Sequence, residues 1–350
     1  MINNFINIKN LDKYVPKKYK NILIITSNFH KKKKYLKSIV DKLKINKKIN
    51  LYGDVKTGAQ IDDVYKIVGR FQVPDLIIGI GGGSVMDIAK ACSCFFDAKY
   101  IKKDLTKIKI SRKIKSILVP TVLGSGAENS RASILKYKNN KKKAIRHDLI
   151  KANFVYVDLN LIKTANIKIK CEALYDCFSH AVETYISNKS NVTTQKRSVT
   201  AIKFILGVNS KHFFKNKKNL KKLAKYSFLM GLNLAESSTC LPHRIQYSLS
   251  EFSNASHAQG IIALHKGWLN CSKSSRKFLR LCNDIKENNV NFCKKIYYLR
   301  KNLGIDYSLS DIGVSRKNLL RITSNVNGNL AADPLFTNRK SILNVLENAF

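Results

Sequence analysis

The chain has 350 residues, 44% of them hydrophobic, and a formal net charge of +41. That length is comfortable for two domains with real cores. No apolar run approaches the roughly 18–20 residues that span a bilayer, so no membrane partner is expected. The stretch "MINNFINIKNLDKY" has no basic region followed by an apolar one, which argues against a secretory leader and makes the cytoplasm the expected location.

The charge admits two readings. One is a polyanion partner. The other is the solvated surface of a Lys-, Asn- and Ile-rich chain, as AT-rich codon usage produces. The basic runs "HKKKK" (30–34), "KNNKKK" (138–143) and "KNKKNLKK" (215–222) are dispersed and lack interleaved aromatics, so no specific nucleic acid is expected. The eight cysteines form no C-x-x-C pair and no zinc-finger spacing; they read as reduced thiols.

In chain order, "NILIITS" (21–27) is an apolar, β-branched run and predicts a strand, followed by a basic helix. "INLYGDV" (49–55) predicts a second strand and "IDDVYKIVGRF" (61–71) a helix. "DLIIGIGGG" (75–83) reads as a buried strand ending in glycines; "KSILVPT" (115–121) and "NFVYVDLN" (153–160) read as later strands. Strands alternating with helices predict a parallel sheet covered on both faces. Beyond about residue 160 the pattern changes to helical spacing, over 171–188, 193–214, 219–238 and 256–273. The expected organisation is an α/β dinucleotide-binding domain over 1–160 and an all-helical domain over 161–350.

Two glycine-rich turns follow apolar strands. "LIIGIGGGSVMDIAKA" (76–91) is strand, turn and helix; Gly81, Gly82 and Gly83 allow a phosphate to approach backbone amides at a helix start. It does not meet G-x-G-x-x-G, and no G-K-[ST] follows. "VPTVLGSGAENS" (119–130) carries Gly124, Ser125 and Gly126. Loops of this kind at the ends of parallel strands face the crevice where such sheets bind nucleotides. A tight structural turn is the plain alternative for either one.

"YDCFSHAVE" (175–183) puts Asp176 one helical turn before His180, so both can reach one point. His243 and His257 lie fourteen residues apart further on. One carboxylate and three imidazoles suit a borderline divalent ion, Fe²⁺ or Zn²⁺. Helix histidines that merely satisfy a core or a surface are the alternative, and His265 is read that way.

Together these segments resemble the iron-containing (group III) alcohol dehydrogenases, which share a fold with dehydroquinate synthase and glycerol dehydrogenase. "GGGSVMD" (81–87) is similar to the family's G-G-G-S-x-x-D loop, "PTVLGSGAE" (120–128) to P-T-T-x-G-T-G-S-E, "VDLNLI" (157–162) to V-D-P-x-L, and "DCFSHAVETYIS" (176–187) to D-A-L-x-H-A-I-E-x-Y-x-S. The resemblance implies metal ligands Asp176, His180, His243 and His257, and a cofactor held by Gly81, Gly82, Gly83, Ser84, Asp87, Thr121, Gly124 and Ser125. It implies hydride transfer between NADPH or NADH and a small alcohol or aldehyde, in the cleft between the domains of a homo-oligomer.

The chain also departs from the pattern. Val122 replaces a Thr, Ser125 a Thr and Ala127 a Ser, so some cofactor hydroxyls are missing, and Ala258 replaces a glycine after the last ligand. Tyr247 stands where many members have a histidine, as an alternative proton donor or a core aromatic. Ser27 stands where NAD-preferring members carry an Asp, which leans the cofactor toward NADPH. Arg244 beside a ligand is a candidate clamp for an anionic aldehyde such as phosphonoacetaldehyde, or a helix residue pointing away. Two rival readings are a dehydroquinate-synthase-like or glycerol-1-phosphate-dehydrogenase-like enzyme, and a basic nucleic-acid-binding protein on a decayed dehydrogenase fold.

Overall fold

The computed structural model describes residues 4–111 and 113–350; residues 1–3 of the stretch read for a leader lie outside them. The chain divides into two compact units. One runs through Lys138 and resumes over Lys142–Ala165; the other takes Asn139–Lys141 and Asn166–Phe350.

The first unit contains β1 (Asn4–Phe5), β2 (Asn21–Thr26), α1 (Asn28–Lys31), α2 (Lys34–Lys44), β3 (Lys48–Tyr52), α3 (Ile61–Arg70), β4 (Leu76–Gly81) and α4 (Gly83–Cys94). It continues with β5 (Lys115–Pro120), β6 (Ala132–Lys136), β7 (Lys142–Arg146), β8 (Phe154–Val157) and α5 (Leu159–Lys163). Six strands form one parallel sheet in the order β3-β2-β4-β5-β8-β1. The apolar runs behave as a two-sided sheet requires, with successive side chains on opposite faces. Ile22, Ile24, Ile78, Ile80 and Val119 join the core with Leu36, Ile39 and Leu43 of α2. Leu23, Ile25, Ile77 and Leu118 join the core with Val64 and Ile67 of α3 and Ile88 of α4. The strands expected from the sequence are present. The antiparallel hairpin β6–β7 was not among them.

The strand order reverses beside β2: β3 lies on one side of it and β4 on the other. Ligands bind such sheets at the carboxyl ends of the strands next to that switch. Thr26 pairs with Ile80 and Gly81 with Pro120, so β2, β4 and β5 end side by side.

The second unit is helical: α6 (Ile167–Ile186), α7 (Val192–Leu206), α8 (Lys217–Glu236), α9 (Leu241–Leu249), α10 (His257–Ser272), α11 (Arg276–Ile285), α12 (Asn289–Leu303), α13 (Leu319–Asn325) and α14 (Arg339–Glu347). Helix α6 is capped by Asn166, whose side chain accepts from Lys168 N, and is buried on all sides from Leu174 to Ile186. A helix that is buried all round serves as the core of its unit; α7, α8 and α10 pack against it. Among the described residues, no helix is long and apolar enough to cross a membrane.

Candidate metal centre and cofactor crevice

In the first unit, β4 ends at Gly81 and α4 begins at Gly83, with Gly82 as its N-cap and no side chain capping it. The two free amides of its first turn and the positive end of a twelve-residue helix are therefore open to an anion. A Cβ at Gly82 would meet nothing within 4 Å, and one at Gly83 would meet only Ser125, with Oγ at 3.5 Å and Cβ at 3.9 Å. Gly81 is different: a Cβ there would lie 2.5 Å from Val85 Cγ2, so this glycine is required by packing.

The second glycine loop lies beside the first. Thr121 N donates to Gly81 O at 2.9 Å. Gly124 and Gly126 have φ of 155° and 63°, backbone that side chains rarely adopt. Ser84 Oγ accepts from Gly58 N at 3.0 Å. Ser27 follows β2 as the N-cap of α1 and makes no side-chain capping bond.

Two groups at this crevice were missed in the sequence. His30 is buried; its Nε2 lies 3.1 Å from Thr121 Oγ1 and its Nδ1 2.7 Å from the Tyr35 hydroxyl. Burial, with Lys33 nearby, pushes its pKa down to about 4, so it is neutral at physiological pH. Lys90 is fully buried and pairs with Asp87 Oδ1 at 3.1 Å. Its ammonium also donates to Ala127 O (2.8 Å), Ser130 Oγ (3.0 Å) and Ala132 O, tying α4 to the segment after the second glycine loop. Burial raises the Asp87 pKa, against the pull of Lys90.

In the second unit, Asp176 and His180 sit on α6, His243 in the first turn of α9 and His257 at the start of α10. The Nε2 atoms of His180, His243 and His257 lie 3.7, 3.5 and 3.7 Å from one oxygen, Asp176 Oδ1. One potential ligand atom each from Asp176, His243 and His257 falls within 4.8 Å of the others; His180 joins through Asp176, with its ring stacked 4.5 Å from that of His243. Ligands about 2.1 Å from a tetrahedral ion stand about 3.4 Å apart, so the spacings fit one ion. Asp176 Oδ1 and His243 Nε2 are also buried without a hydrogen-bond partner, which a bound cation would remedy. Burial works to raise the Asp176 pKa, but the imidazoles of His180, His257 and His243 outweigh it and hold the carboxyl below its usual range. Burial works to lower the His243 pKa, yet Glu183 and Asp176 lift it to about 9.

Carboxylates from distant parts of the chain hold these elements. Helix α9 starts at Leu241, with Pro242 in its first turn, after the N-cap Cys240, which has no side-chain capping bond. The buried amides at its start donate instead to Glu183 (from Cys240 N, 2.9 Å) and Asp333 (from Leu241 N, 2.8 Å), a favourable place for negative charge. Helix α10 opens with a capping box of Ser256 and Gln259, and both side chains donate to Glu172 of α6, one turn before Asp176. Glu183 was in plain view in "SHAVE". It stands seven residues after Asp176, on the same helix face, and that spacing was the available signal.

Tyr247 is half-buried one turn after His243, and its hydroxyl makes no hydrogen bond with the described residues. Arg244 is buried. Its Nη2 donates to Ser238 Oγ (2.8 Å) and Thr239 Oγ1 (3.0 Å), its Nε has no partner, and no carboxylate pairs with it among the described residues. His265 is a core group that bonds to the Tyr175 hydroxyl at 2.9 Å and stacks on Trp268. Burial keeps its pKa well below the ordinary imidazole value.

A two-unit fold with a possible metal site in its helical unit is the arrangement of a class of two-part dehydrogenases. Two family models agree: "Iron-containing alcohol dehydrogenase" matches residues 5–159, and "Fe-containing alcohol dehydrogenase family, C-terminal" matches 172–350. The chain belongs to the iron-containing alcohol dehydrogenase family. It is 28% identical over 223 residues to long-chain-alcohol dehydrogenase 1 of Geobacillus thermodenitrificans, covering 60% of this chain and 55% of that one. The match thus spans about half the length of that relative. It is 24% identical over 293 residues to sulfoacetaldehyde reductase of Bilophila wadsworthia, covering 77% and 75%. Among solved structures, alcohol dehydrogenase from Oenococcus oeni superposes with a TM-score of 0.88 at 20% identity, over 99% of this chain and 98% of that one.

Proposed function

We propose that the chain is a metal-dependent NAD(P)-linked dehydrogenase that interconverts a small alcohol and its aldehyde. The observation that carries the reading is the convergence of three imidazole Nε2 atoms on one buried Asp176 oxygen at 3.5–3.7 Å. Asp176, His180, His243 and His257 would hold Fe²⁺ or Zn²⁺, which as a Lewis acid polarises the substrate oxygen.

The chain's own groups would do the rest. The open amides at Gly83 and Ser84 would take the cofactor pyrophosphate beside Gly81 and Gly82, and Asp87, Thr121, Gly124 and Ser125 would line the same cofactor. A bound nicotinamide cofactor would supply the hydride for reduction, which leaves this chain to bring a proton to the substrate oxygen. Tyr247, half-buried one turn after His243 on α9, is the candidate donor. Ser27 leaves no carboxylate at the end of β2 to repel a 2′-phosphate, which supports NADPH over NADH. An anionic aldehyde is the favoured substrate class. Its support is the buried Arg244 without a carboxylate partner and the likeness to a sulfoacetaldehyde reductase.

The test is metal content after purification without oxygen or chelators, wild type beside Asp176→Ala. About one ion per chain in the wild type, lost in the variant, is expected. A folded wild type with no ion, even with cofactor present, would overturn the reading.

A further inference from the structure

Two of the imidazoles around Asp176 are gripped at their other ring nitrogen, by acceptors of different charge. Glu183 Oε1 lies 2.7 Å from His243 Nδ1, and the carboxylate is fully buried with its second oxygen engaged by Cys240 N. Gln246 Oε1 lies 2.7 Å from His257 Nδ1 and is also buried. Room for that amide depends on residue 260: a Cβ on Gly260 would lie 3.0 Å from Gln246 Cγ and 3.4 Å from its Nε2. Each acceptor takes an Nδ1–H and so leaves the Nε2 lone pair directed at Asp176.

Resting on the metal reading above, we propose that Glu183 and Gln246 are positioning residues that set how tightly the centre holds its ion. A carboxylate on Nδ1 makes His243 the stronger donor; a neutral amide leaves His257 the weaker one. His257 is also the most exposed of the three, its side chain 36% accessible against 3% for His243. The ion is therefore released through the His257 side, and Gln246 governs the rate.

The test uses the full-length protein loaded with Co²⁺ or Zn²⁺. The dissociation constant is measured by competition with a chelator, the release rate by stopped flow, and the ligand field by the Co²⁺ visible spectrum. Gln246→Ala should weaken binding about 10- to 100-fold. Gln246→Glu, nearly isosteric, should slow release below the wild-type rate and shift the Co²⁺ bands. A merely structural role for Gln246 would leave the Gln246→Glu release rate and spectrum at wild-type values, and that result overturns the inference. If Gln246→Ala does not fold, Gln246→Glu alone decides. Asp176→Ala is measured alongside. If wild type and Asp176→Ala bind the ion equally, the metal reading itself has failed; if only the Gln246 variants match wild type, the positioning role has.

Discussion

Replacing Lys90 by Met removes the buried cation of the first unit while nearly keeping its volume. Its ammonium is fully buried against Asp87 Oδ1, Ala127 O, Ser130 Oγ and Ala132 O. Removing one member of a buried ion pair costs about 3–5 kcal/mol, because the partner charge is left uncompensated. Each backbone acceptor left without a donor adds about 1–3 kcal/mol. Ser130 Oγ already reaches Ala132 O at 3.1 Å and Ala127 O at 3.5 Å and offsets much of that second loss. A loss of about 3–5 kcal/mol is therefore expected, read as a lower urea midpoint at unchanged slope. The pH dependence follows from Asp87, whose pKa burial already raises. Without Lys90 the charged carboxylate is disfavoured further, so stability is kept at low pH and lost as pH rises through the folded pKa. The deficit should be smaller near pH 5 than near pH 8, and Asp87→Asn in the Lys90→Met background should recover part of it. The KM for the dinucleotide should also rise, because the segment Lys90 holds follows Gly124–Gly126. A loss under about 1 kcal/mol, or a deficit that shrinks with rising pH, would refute the reasoning.

The remaining expectations separate packing from binding. Gly81→Ala should cost about 1–3 kcal/mol through its clash with Val85, whereas Gly82→Ala should melt like wild type and raise the KM for the dinucleotide; an unchanged KM would place the pyrophosphate elsewhere. Ser27→Asp should shift preference from NADPH toward NADH, seen in the ratio of kcat/KM values, and no shift would assign 2′-phosphate recognition to other groups. Arg244→Ala should raise KM for anionic aldehydes at least tenfold more than for neutral ones, because a hydrogen bond to a charged group carries about 1.5–3 kcal/mol and about 1.4 kcal/mol is tenfold. Equal effects on the two classes would make Arg244 a structural residue.

What could be read from the sequence was local. The run "LIIGIGGG" forms a strand because all of its side chains are buried on a two-sided sheet, and its glycines end it where α4 must start. Asp176 and His180 meet because four residues make one turn. The hairpin β6–β7 was missed because its strands are only five residues long and their alternating positions Ser133, Leu135, Lys143 and Ile145 mix polar with apolar residues, so no clean period-two pattern shows. The charge run at 138–143 hid its turn. The groups that hold the site together were illegible for a different reason: their partners are far away in sequence. Lys90 and Ala127 are 37 residues apart, Glu183 and His243 are 60 apart, and Leu241 and Asp333 are 92 apart. Spacing rules describe one helix or one strand. They carry nothing about which carboxylate a fold will bring to another helix's first turn.

That distant carboxylate changes what the cluster in the second unit requires. With Glu183 accepting from His243 Nδ1, a neutral His243 turns an Nε2 lone pair toward Asp176 Oδ1 at 3.5 Å. With Gln246 accepting from His257 Nδ1, His257 does the same at 3.7 Å. Acceptors then face one another around a single point, buried and short of donors. Such an arrangement repels unless something positive stands between them. A proton on His243 Nε2 can serve one pair, and the lift of that group to about 9 expresses the same need. Only an ion with several coordination positions serves all the acceptors at once, because it binds each lone pair without taking one away from another. On the metal reading, Glu183 and Gln246 would thus keep the imidazole lone pairs turned toward Asp176, and a divalent cation bound there would offset the cost of burying that carboxylate.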